Sequence, residues 1–288
     1  MLKIIVWGLV IFCLWSLLVS LYAYYVYTHP SRQVSSVTPD DYNIGYEPVS
    51  FSSSDGVKLK GWFIPGSHPE APTVIVCHGY PFDKGNILDL ALCLYPDYNL
   101  FLFDFRAMGE SEGSYFTAGW KEVSDLEGAV VYLQGRGETQ IGAMGFSLGA
   151  AVIILANNSD IKGLVADSSF SDLNALINVI FRNLGPFKWS LVKLTKLWVR
   201  LFMGMDTGQV SPLRTMAFLP SPILLIHGTE DREIPVDHSR QLYQAAVSTD
   251  KDAELWLVPG ADHGQAYYMD SEEYSRRVKA FFARVFGR

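Results

Sequence analysis

Short, nearly continuous apolar runs alternate with helical segments from residue 73 to the end of the chain. Strands buried on both faces appear as unbroken apolar runs, and strands separated by helices pair in parallel. Predicted strands cover residues 73–77, 100–103, 140–145, 163–166, 223–227 and 254–258, and predicted helices cover 86–94, 120–134, 148–157, 237–247 and 271–285. The pattern therefore predicts an α/β fold in which helices cover both faces of a parallel sheet.

An antiparallel hairpin is predicted before this region. Residues 46–52 and 57–64 flank a turn signal at residues 54–56, and a turn between two such runs is typical of a hairpin. The sheet should then have about eight strands, mostly parallel. The chain has 288 residues, 49% of them hydrophobic and 18% charged, which is enough for one domain with a sizeable core. We expect that domain over residues 45–288.

The amino-terminal segment has the composition of a membrane-spanning helix. Residues 4–27 carry no formal charge and are rich in aliphatic and aromatic side chains. At about 1.5 Å per residue they form roughly 36 Å of helix, enough to cross about 30 Å of hydrocarbon. Tyrosines crowd the end of the segment, as in the aromatic belts of membrane proteins. They are Tyr22, Tyr24, Tyr25 and Tyr27. We predict a single-pass anchor over residues 1–30.

A cleaved signal peptide is the alternative for this segment. Its apolar region would span about 7–15 residues and end at a small-x-small cleavage site, and no convincing site of that kind stands among the tyrosines. Residues 31–44 follow as a polar linker to the domain. Lys3 precedes the apolar segment and Arg32 follows it. With the terminal amine, this slight bias favours a cytoplasmic amino terminus and a domain on the extracytoplasmic side.

One interval, residues 171–207, interrupts the alternation with about two helices' worth of apolar and basic residues. We interpret it as an inserted helical cap. Its second half interleaves Lys188, Lys193, Lys196 and Arg200 with Trp189, Leu191, Leu194, Leu197, Trp198, Leu201 and Phe202. Such a basic amphipathic pattern can cover a lipid-like substrate or contact an anionic membrane. It can equally pack its apolar face on the domain below.

Ser147 lies in a Gly-x-Ser-x-Gly sequence between a predicted strand and a predicted helix. A serine at such a sharp turn needs small neighbours because its backbone is strained, and Gly145 and Gly149 provide the space. The positive end of the helix lies beneath the serine, where negative charge develops in acyl transfer. Ser147 is the predicted nucleophile. The alternative is a serine that only caps the helix.

A serine hydroxyl needs a base within reach, and the base needs an orienting carboxylate. In this strand–serine–helix arrangement the acid and then the base follow later strands. His263 follows the last predicted strand and is the expected base. Asp231 follows the strand before it and is the expected acid. The other acidic loop residues that might take this role are Glu230, Asp237 and Asp262, while His227 ends a strand and is expected to be a hydrogen-bonded structural residue.

A second loop is predicted to complete the site. His78, Gly79 and Tyr80 follow the strand at residues 73–77. In folds of this type that loop supplies one backbone N–H to the oxyanion hole, and the residue after the nucleophile supplies the other. The expected donors are Tyr80 and Leu148. Gly79 permits close backbone approach, and His78 is expected to brace the loop rather than transfer protons.

Five runs in this order carry a family resemblance: CHGY, FDFRAMGESEG, GFSLG, HGTEDREIP and PGADHG. Over about residues 45–287 the chain resembles serine α/β-hydrolases of the serine-aminopeptidase-like or monoacylglycerol-lipase-like kind, some of which are membrane-anchored. The resemblance implies an α/β-hydrolase fold and a tract after the fourth strand that is a structural loop. Where that tract usually has Arg-Gly, this chain has Arg106 and Ala107, a mild departure that should leave catalysis undisturbed.

These residues favour hydrolysis of an ester or thioester with an acyl or lipid-like group, through an acyl-serine intermediate. No metal or organic cofactor is expected. The resemblance also permits a peptidase that releases amino-terminal residues, which would need an acidic site for the substrate's amino group. A third possibility is a catalytically silent, membrane-tethered scaffold, but such proteins usually lose a triad residue.

Charge and cysteine content exclude other classes. The formal net charge of −7, with no dense Lys/Arg run outside one short stretch, argues against nucleic acid as a partner. Cys13 lies in the apolar segment, and Cys77 and Cys93 look like small buried hydrophobic residues. Their spacing fits neither a disulfide framework nor a metal site. The sequence leaves the oligomeric state open.

Overall fold

The computed structural model describes residues 1–288, apart from the side chain of residue 186. Eight strands form one sheet in the order β1-β2-β4-β3-β5-β6-β7-β8. They are β1 (Glu47–Ser52), β2 (Lys58–Ile64), β3 (Thr73–Cys77), β4 (Asn99–Phe103), β5 (Ile141–Phe146), β6 (Ile161–Asp167), β7 (Ile223–Gly228) and β8 (Ala253–Val258). β2 pairs antiparallel with β1 and β4, and all other neighbours are parallel. The predicted hairpin and mostly parallel sheet are confirmed.

Ten α-helices accompany the sheet in the described part of the chain. They are α1 (Leu2–Thr28), α2 (Leu88–Ala91), α3 (Glu122–Gly135), α4 (Leu148–Ala156), α5 (Leu173–Ile180), α6 (Lys188–Met203), α7 (Pro212–Met216), α8 (Asp237–Val247), α9 (Ala266–Met269) and α10 (Ser271–Phe286). The helix predicted over residues 86–94 is shorter, because α2 passes into a 3-10 turn at Leu92–Leu94. Both α7 and α9 are too short to produce a helical period in the sequence.

The two faces of the sheet carry separate apolar cores. In β3, Ile75 and Cys77 face the core that contains α3, α4 and α8, whereas Val74 and Val76 face the core that contains α2 and α10. Side chains alternate across a strand with period two, so a strand that is covered on both sides must be apolar throughout. This explains why the central strands are unbroken apolar runs.

A third apolar core lies between the domain and the cap, residues 171–207. Leu173 and Ile177 of α5 and Leu191 and Val199 of α6 are buried in it. Tyr24 of α1 belongs to the same core, because α1 packs along α6. The cap therefore contacts both the domain and the amino-terminal helix.

The helix α1 is 27 residues long, and its mean hydropathy reaches 2.6, so by length and composition it is able to cross a membrane. The residues that follow it contact the domain. The Arg32 guanidinium donates to the backbone carbonyl oxygens of Gly109 at 3.2 Å, Gly113 at 2.7 Å and Ser111. The Ser35 N–H donates to Asp83 at 2.6 Å. The boundaries of the anchor, the linker and the domain remain predictions.

Candidate active site

Ser147 stands at the junction of β5 and α4 with φ of 52° and ψ of −109°. A non-glycine residue in this region costs about 1–3 kcal/mol and persists only where its surroundings enforce it. Close backbone contacts provide that enforcement. A Cβ on Gly145 would lie 2.4 Å from the backbone of Gly149, and a Cβ on Gly149 would lie 2.2 Å from the carbonyl oxygen of Cys77. Both glycines are therefore required by space.

The side chains of Ser147, His263 and Asp231 form one hydrogen-bonded chain. His263 Nε2 lies 3.0 Å from Ser147 Oγ, and His263 Nδ1 lies 2.7 Å from Asp231 Oδ2. They come from the loops after β5, β8 and β7, which end at the same edge of the sheet. A hydroxyl, an imidazole and a carboxylate in this order can transfer a proton from the hydroxyl to the ring.

Hydrogen bonds hold the Asp231 carboxylate in its ionised form. Burial alone would raise its pKa, but hydrogen bonds from His227 and His263 and from backbone N–H groups hold that pKa well below its ordinary value. The backbone donors are Glu233, at 2.9 Å from Oδ1, and Ile234, at 2.7 Å. The other oxygen, Oδ2, faces the His263 ring. Asp231 is thus a fixed negative charge beside the imidazole.

The three alternative acids lie elsewhere. Asp262 Oδ1 accepts from the backbone N–H groups of Arg232 at 2.9 Å and His263 at 2.8 Å. Asp237 pairs with Arg240 at 2.8 Å on the surface, and Glu230 is exposed. Among the four carboxylates considered from the sequence, it is Asp231 that contacts the His263 ring.

The His263 ring is surrounded by acidic groups. Burial alone would lower its pKa, but the hydrogen bond to Asp231 and the charges of Asp231, Glu233 and Asp167 raise the pKa above its ordinary value. Glu233 is largely exposed, and its Oε2 lies 3.9 Å from His263 Nε2. Burial raises the pKa of Asp167, whose Oδ2 accepts a hydrogen bond from the Tyr274 hydroxyl at 2.9 Å. Glu233 is not among the residues predicted for the site, although it lies two residues after Asp231.

The predicted oxyanion loop lies beside Ser147. Tyr80 and Leu148 line the same cavity as Ser147. Among the backbone hydrogen bonds of turns and loops in the described chain, the N–H groups of Tyr80 and Leu148 donate to no carbonyl oxygen. A Cβ on Gly79 would lie 2.9 Å from the Phe146 ring. The two N–H groups remain the predicted donors to an oxygen bound next to the serine.

His78 is buried and holds this loop in place. Burial lowers its pKa, so the ring is neutral at pH 7. His78 Nε2 accepts from the Phe105 N–H at 3.0 Å, and Nδ1 lies 2.8 Å from the Gly79 carbonyl oxygen, which assigns the proton to Nδ1. The ring thus joins the loop after β3 to the loop after β4.

An apolar cavity of about 450 Å³ opens over Ser147. The cap supplies one part of its wall, with Leu173 and Ile177 from α5 and Val199 from α6. The end of α1 supplies another part, which the sequence analysis did not anticipate. Its lining residues from α1 are Ala23, Tyr24, Tyr27 and Thr28. The cavity suits an apolar group of a substrate whose reacting atom lies at Ser147.

A comparison with protein-family models finds one that covers more than half of the chain. Residues 111–288 match the model of the prolyl oligopeptidase family. Among curated proteins, YfhR of Salmonella typhi is 28% identical over 83% of this chain and 80% of its own length. The α/β hydrolase domain-containing protein WAV2 of Arabidopsis thaliana is 27% identical over 83% of this chain and 79% of its own length.

Solved structures include enzymes with the same fold. The esterase Pf2001 of Pyrococcus furiosus superposes with a TM-score of 0.74 at 30% identity, over 89% of this chain and 97% of the esterase. An acylaminoacyl peptidase of Pyrococcus horikoshii superposes with a TM-score of 0.64 at 19% identity, over 85% of this chain and 42% of the peptidase. The second likeness concerns the fold alone.

Proposed function

Because the chain belongs to the prolyl oligopeptidase family of α/β-hydrolases, we propose that it is a serine hydrolase that cleaves esters or thioesters of apolar acyl groups. The predicted α/β-hydrolase superfamily is confirmed, and the protein is a hydrolase. The observation that carries the proposal is the 3.0 Å contact between His263 Nε2 and the Oγ of Ser147, which lines an apolar cavity.

The first half of the reaction forms an acyl-enzyme. Ser147 Oγ attacks the carbonyl carbon while His263 Nε2 takes its proton. Asp231 holds the ring so that Nε2 faces the serine, and its charge stabilises the imidazolium that forms. The backbone N–H groups of Tyr80 and Leu148 donate to the oxyanion. The bond between the carbonyl carbon and the leaving oxygen or sulfur then breaks, and His263 gives its proton to the leaving alcohol or thiol.

The second half of the reaction uses water. His263 takes a proton from a water molecule as the water oxygen attacks the acyl carbon. The bond to Ser147 Oγ breaks, the serine regains its proton from the ring, and the free acid leaves. No metal ion or organic cofactor takes part in either step.

The acyl group fits the apolar part of the cavity. The side chains from α5, α6 and α1 that face this space are mostly aliphatic or aromatic, and Ser147 lines the same space. An apolar chain transferred from water into such a cavity gains about 0.8 kcal/mol per methylene group. Esters of longer acyl groups should therefore be better substrates than acetyl esters.

A second candidate function is that of a peptidase that removes amino-terminal residues. The Glu233 carboxylate lines the cavity and lies 3.9 Å from His263 Nε2. It is placed to pair with the ammonium group of a peptide substrate. Turnover of aminoacyl anilides by the full chain, compared with turnover of p-nitrophenyl esters of fatty acids, separates the two functions.

The nucleophile is tested with a fluorophosphonate probe, which reacts with activated serines. We expect the probe to label the wild type and the variant Ser248→Ala, whose serine is exposed on the surface. It should not label Ser147→Ala. Equal labelling of Ser147→Ala would remove this serine from the mechanism. Absence of labelling and of turnover in the wild type would instead support the scaffold alternative.

The location of the chain forms part of the proposal. We infer that α1 is a single-pass anchor with its amino terminus in the cytoplasm and the hydrolase domain on the other side, because Lys3 precedes the apolar stretch. Retention in the membrane fraction after alkaline extraction tests the anchor. Digestion of the domain by a protease added to intact cells tests the side. Protection in intact cells and digestion after permeabilisation would place the domain in the cytoplasm instead.

A further inference from the structure

The end of α1 is part of the binding site as well as part of the apolar amino-terminal segment. Ala23, Tyr24 and Tyr27 line the cavity above Ser147. Tyr24 is only 8% exposed, because the cap covers it. Without α1, the cavity would therefore be open on one side, where its apolar interior would face solvent or lipid.

Polar contacts fix α1 against the cap. Ser16, Ser20, Tyr24 and Thr28 are the buried residues of α1 and recur every four positions, so they form one stripe along the helix. The Trp198 indole N–H donates to Ser20 Oγ at 2.9 Å. If α1 moved away from the cap, this indole would lose its partner and the two serines would face an apolar medium, which is unfavourable.

Other contacts fix α1 to the loops of the domain. The Phe116 N–H donates to the Thr28 carbonyl oxygen at 2.8 Å. The Tyr80 hydroxyl donates to the Val26 carbonyl oxygen at 3.4 Å, and the Tyr80 ring stacks on Phe116 with 4.6 Å between ring centroids. Tyr80 also lines the cavity that contains Ser147. The last turns of α1 thus have a defined place beside the reacting groups.

We propose that α1 is one wall of an acyl-binding site and that Ala23 and Tyr27 set the length of acyl chain that the enzyme accepts. This inference rests on the proposed function. The chain of the substrate would lie between α1 and the cap, with its carbonyl group at Ser147. Ala23 is the smallest side chain that α1 contributes to the cavity, so a larger side chain at this position would take up cavity space. The substrate class is then a medium- or long-chain acyl ester or thioester.

The test is the acyl-chain profile of the full-length protein in detergent, measured as kcat/KM on p-nitrophenyl esters from acetyl to palmitoyl. Ala23→Phe should fill the cavity and shift the preference to shorter chains. Each methylene group that no longer fits costs about fourfold in kcat/KM, so the longest accepted esters should lose at least about tenfold. The acetyl ester, which fills least of the cavity, should lose much less turnover than the longest esters.

Two further variants make the result decisive. Leu14→Phe adds an aromatic ring to an exposed position of the same helix and should leave the profile unchanged. Tyr27→Ala removes a cavity wall and should extend the profile to longer chains, which keeps the test informative if Ala23→Phe does not fold. If both cavity variants hydrolyse the acetyl ester and keep the wild-type dependence of kcat/KM on acyl-chain length, that result would overturn the role of α1 and leave the proposed serine mechanism in place. Wild-type protein that turns over no ester would overturn the proposed function itself.

Discussion

The His227 ring lies with Nε2 at 3.3 Å from Asp231 Oδ2, the same oxygen that accepts the hydrogen bond from His263. His227 Nε2 also lies 2.8 Å from the Ile234 carbonyl oxygen, and Nδ1 lies 2.6 Å from Ser239 Oγ. The ring therefore carries its proton on Nε2 and shares it between a carbonyl oxygen and the carboxylate, while Ser239 donates to Nδ1. A second histidine supports the acid.

We expect His227→Gln to lower kcat by about tenfold or more, since a hydrogen bond to a charged group is worth about 1.5–3 kcal/mol. Asp231 would keep its backbone donors, so the enzyme should retain activity. Ester hydrolysis and the unfolding midpoint measured on the same preparation show whether the loss exceeds the change in folded fraction. A variant with unchanged kcat would mean that His227 serves the fold alone.

Asp231→Asn should lower kcat by about 10⁴-fold, because the amide favours the wrong tautomer of His263 and leaves the imidazolium without a counter-charge. The matched control is Asp237→Asn, which removes a surface carboxylate of the same loop region. It should be active within about twofold. If a steady-state ester assay shows the large loss in Asp237→Asn and not in Asp231→Asn, the role of the orienting acid would pass to Asp237.

On the acidic side of the pH profile, kcat/KM should fall with a midpoint above the ordinary histidine pKa of about 6.5. His263 accepts a proton only when it is neutral, and its pKa is raised, so activity is lost as the pH falls through that raised value. Glu233→Gln removes one of the nearby negative charges and should move the midpoint to lower pH, whereas Glu272→Gln at the exposed start of α10 should not. Plots of kcat/KM against pH measure both shifts, and a midpoint that moves the other way in Glu233→Gln contradicts the assignment.

Gly149→Ala should destabilise the fold by about 3 kcal/mol or more, since its Cβ would lie 2.2 Å from the carbonyl oxygen of Cys77. Gly135 lies at the end of α3 with open space around it. Gly135→Ala should leave stability unchanged or raise it by up to about 1 kcal/mol. Urea unfolding of the two variants checks the contrast, and equal stabilities would be inconsistent with these backbone contacts.

Ala107 has φ of 62°, in the left-handed region, where an L side chain costs about 1–2 kcal/mol. The related sequences that the chain resembles usually have glycine here. Ala107→Gly relieves this strain but gains flexibility in the unfolded state, worth about 0.4–1 kcal/mol. We expect a net increase in stability of about 0.5–1 kcal/mol with unchanged ester turnover. A decrease in the free energy of unfolding would contradict the inference that Ala107 is strained.

The sequence contained enough local information to predict the sheet and the order of its strands along the chain. Apolar runs such as Val74–Val76 are unbroken because both faces of β3 are covered, and this property is visible without coordinates. The motifs also predicted Ser147 and His263 as site residues at strand ends, and the structure places His263 Nε2 at 3.0 Å from Ser147 Oγ. Predicted and observed strand bounds agree to within a few residues.

The contacts between distant elements were not predictable in this way. From the sequence, Tyr24 and Tyr27 look like members of an aromatic belt at a membrane surface. Nothing in their spacing indicates that they line a cavity next to Ser147. Glu233 was not distinguishable from a solvated loop residue, since its position near His263 depends on how two loops meet. Such contacts depend on tertiary packing, which leaves no period in the local sequence.

The attachment of Arg32 to the carbonyl oxygens of Gly109, Ser111 and Gly113 fixes the segment that follows α1 on the domain. If residues 31–44 were a flexible linker, the distance between its two ends would average about 20 Å, and the domain could move by that much relative to α1. With this segment bound to the domain, α1 and Ser147 keep a fixed separation. If α1 is the proposed anchor, Ser147 would then act at one constant depth relative to the bilayer, and only substrates that reach that depth would be hydrolysed.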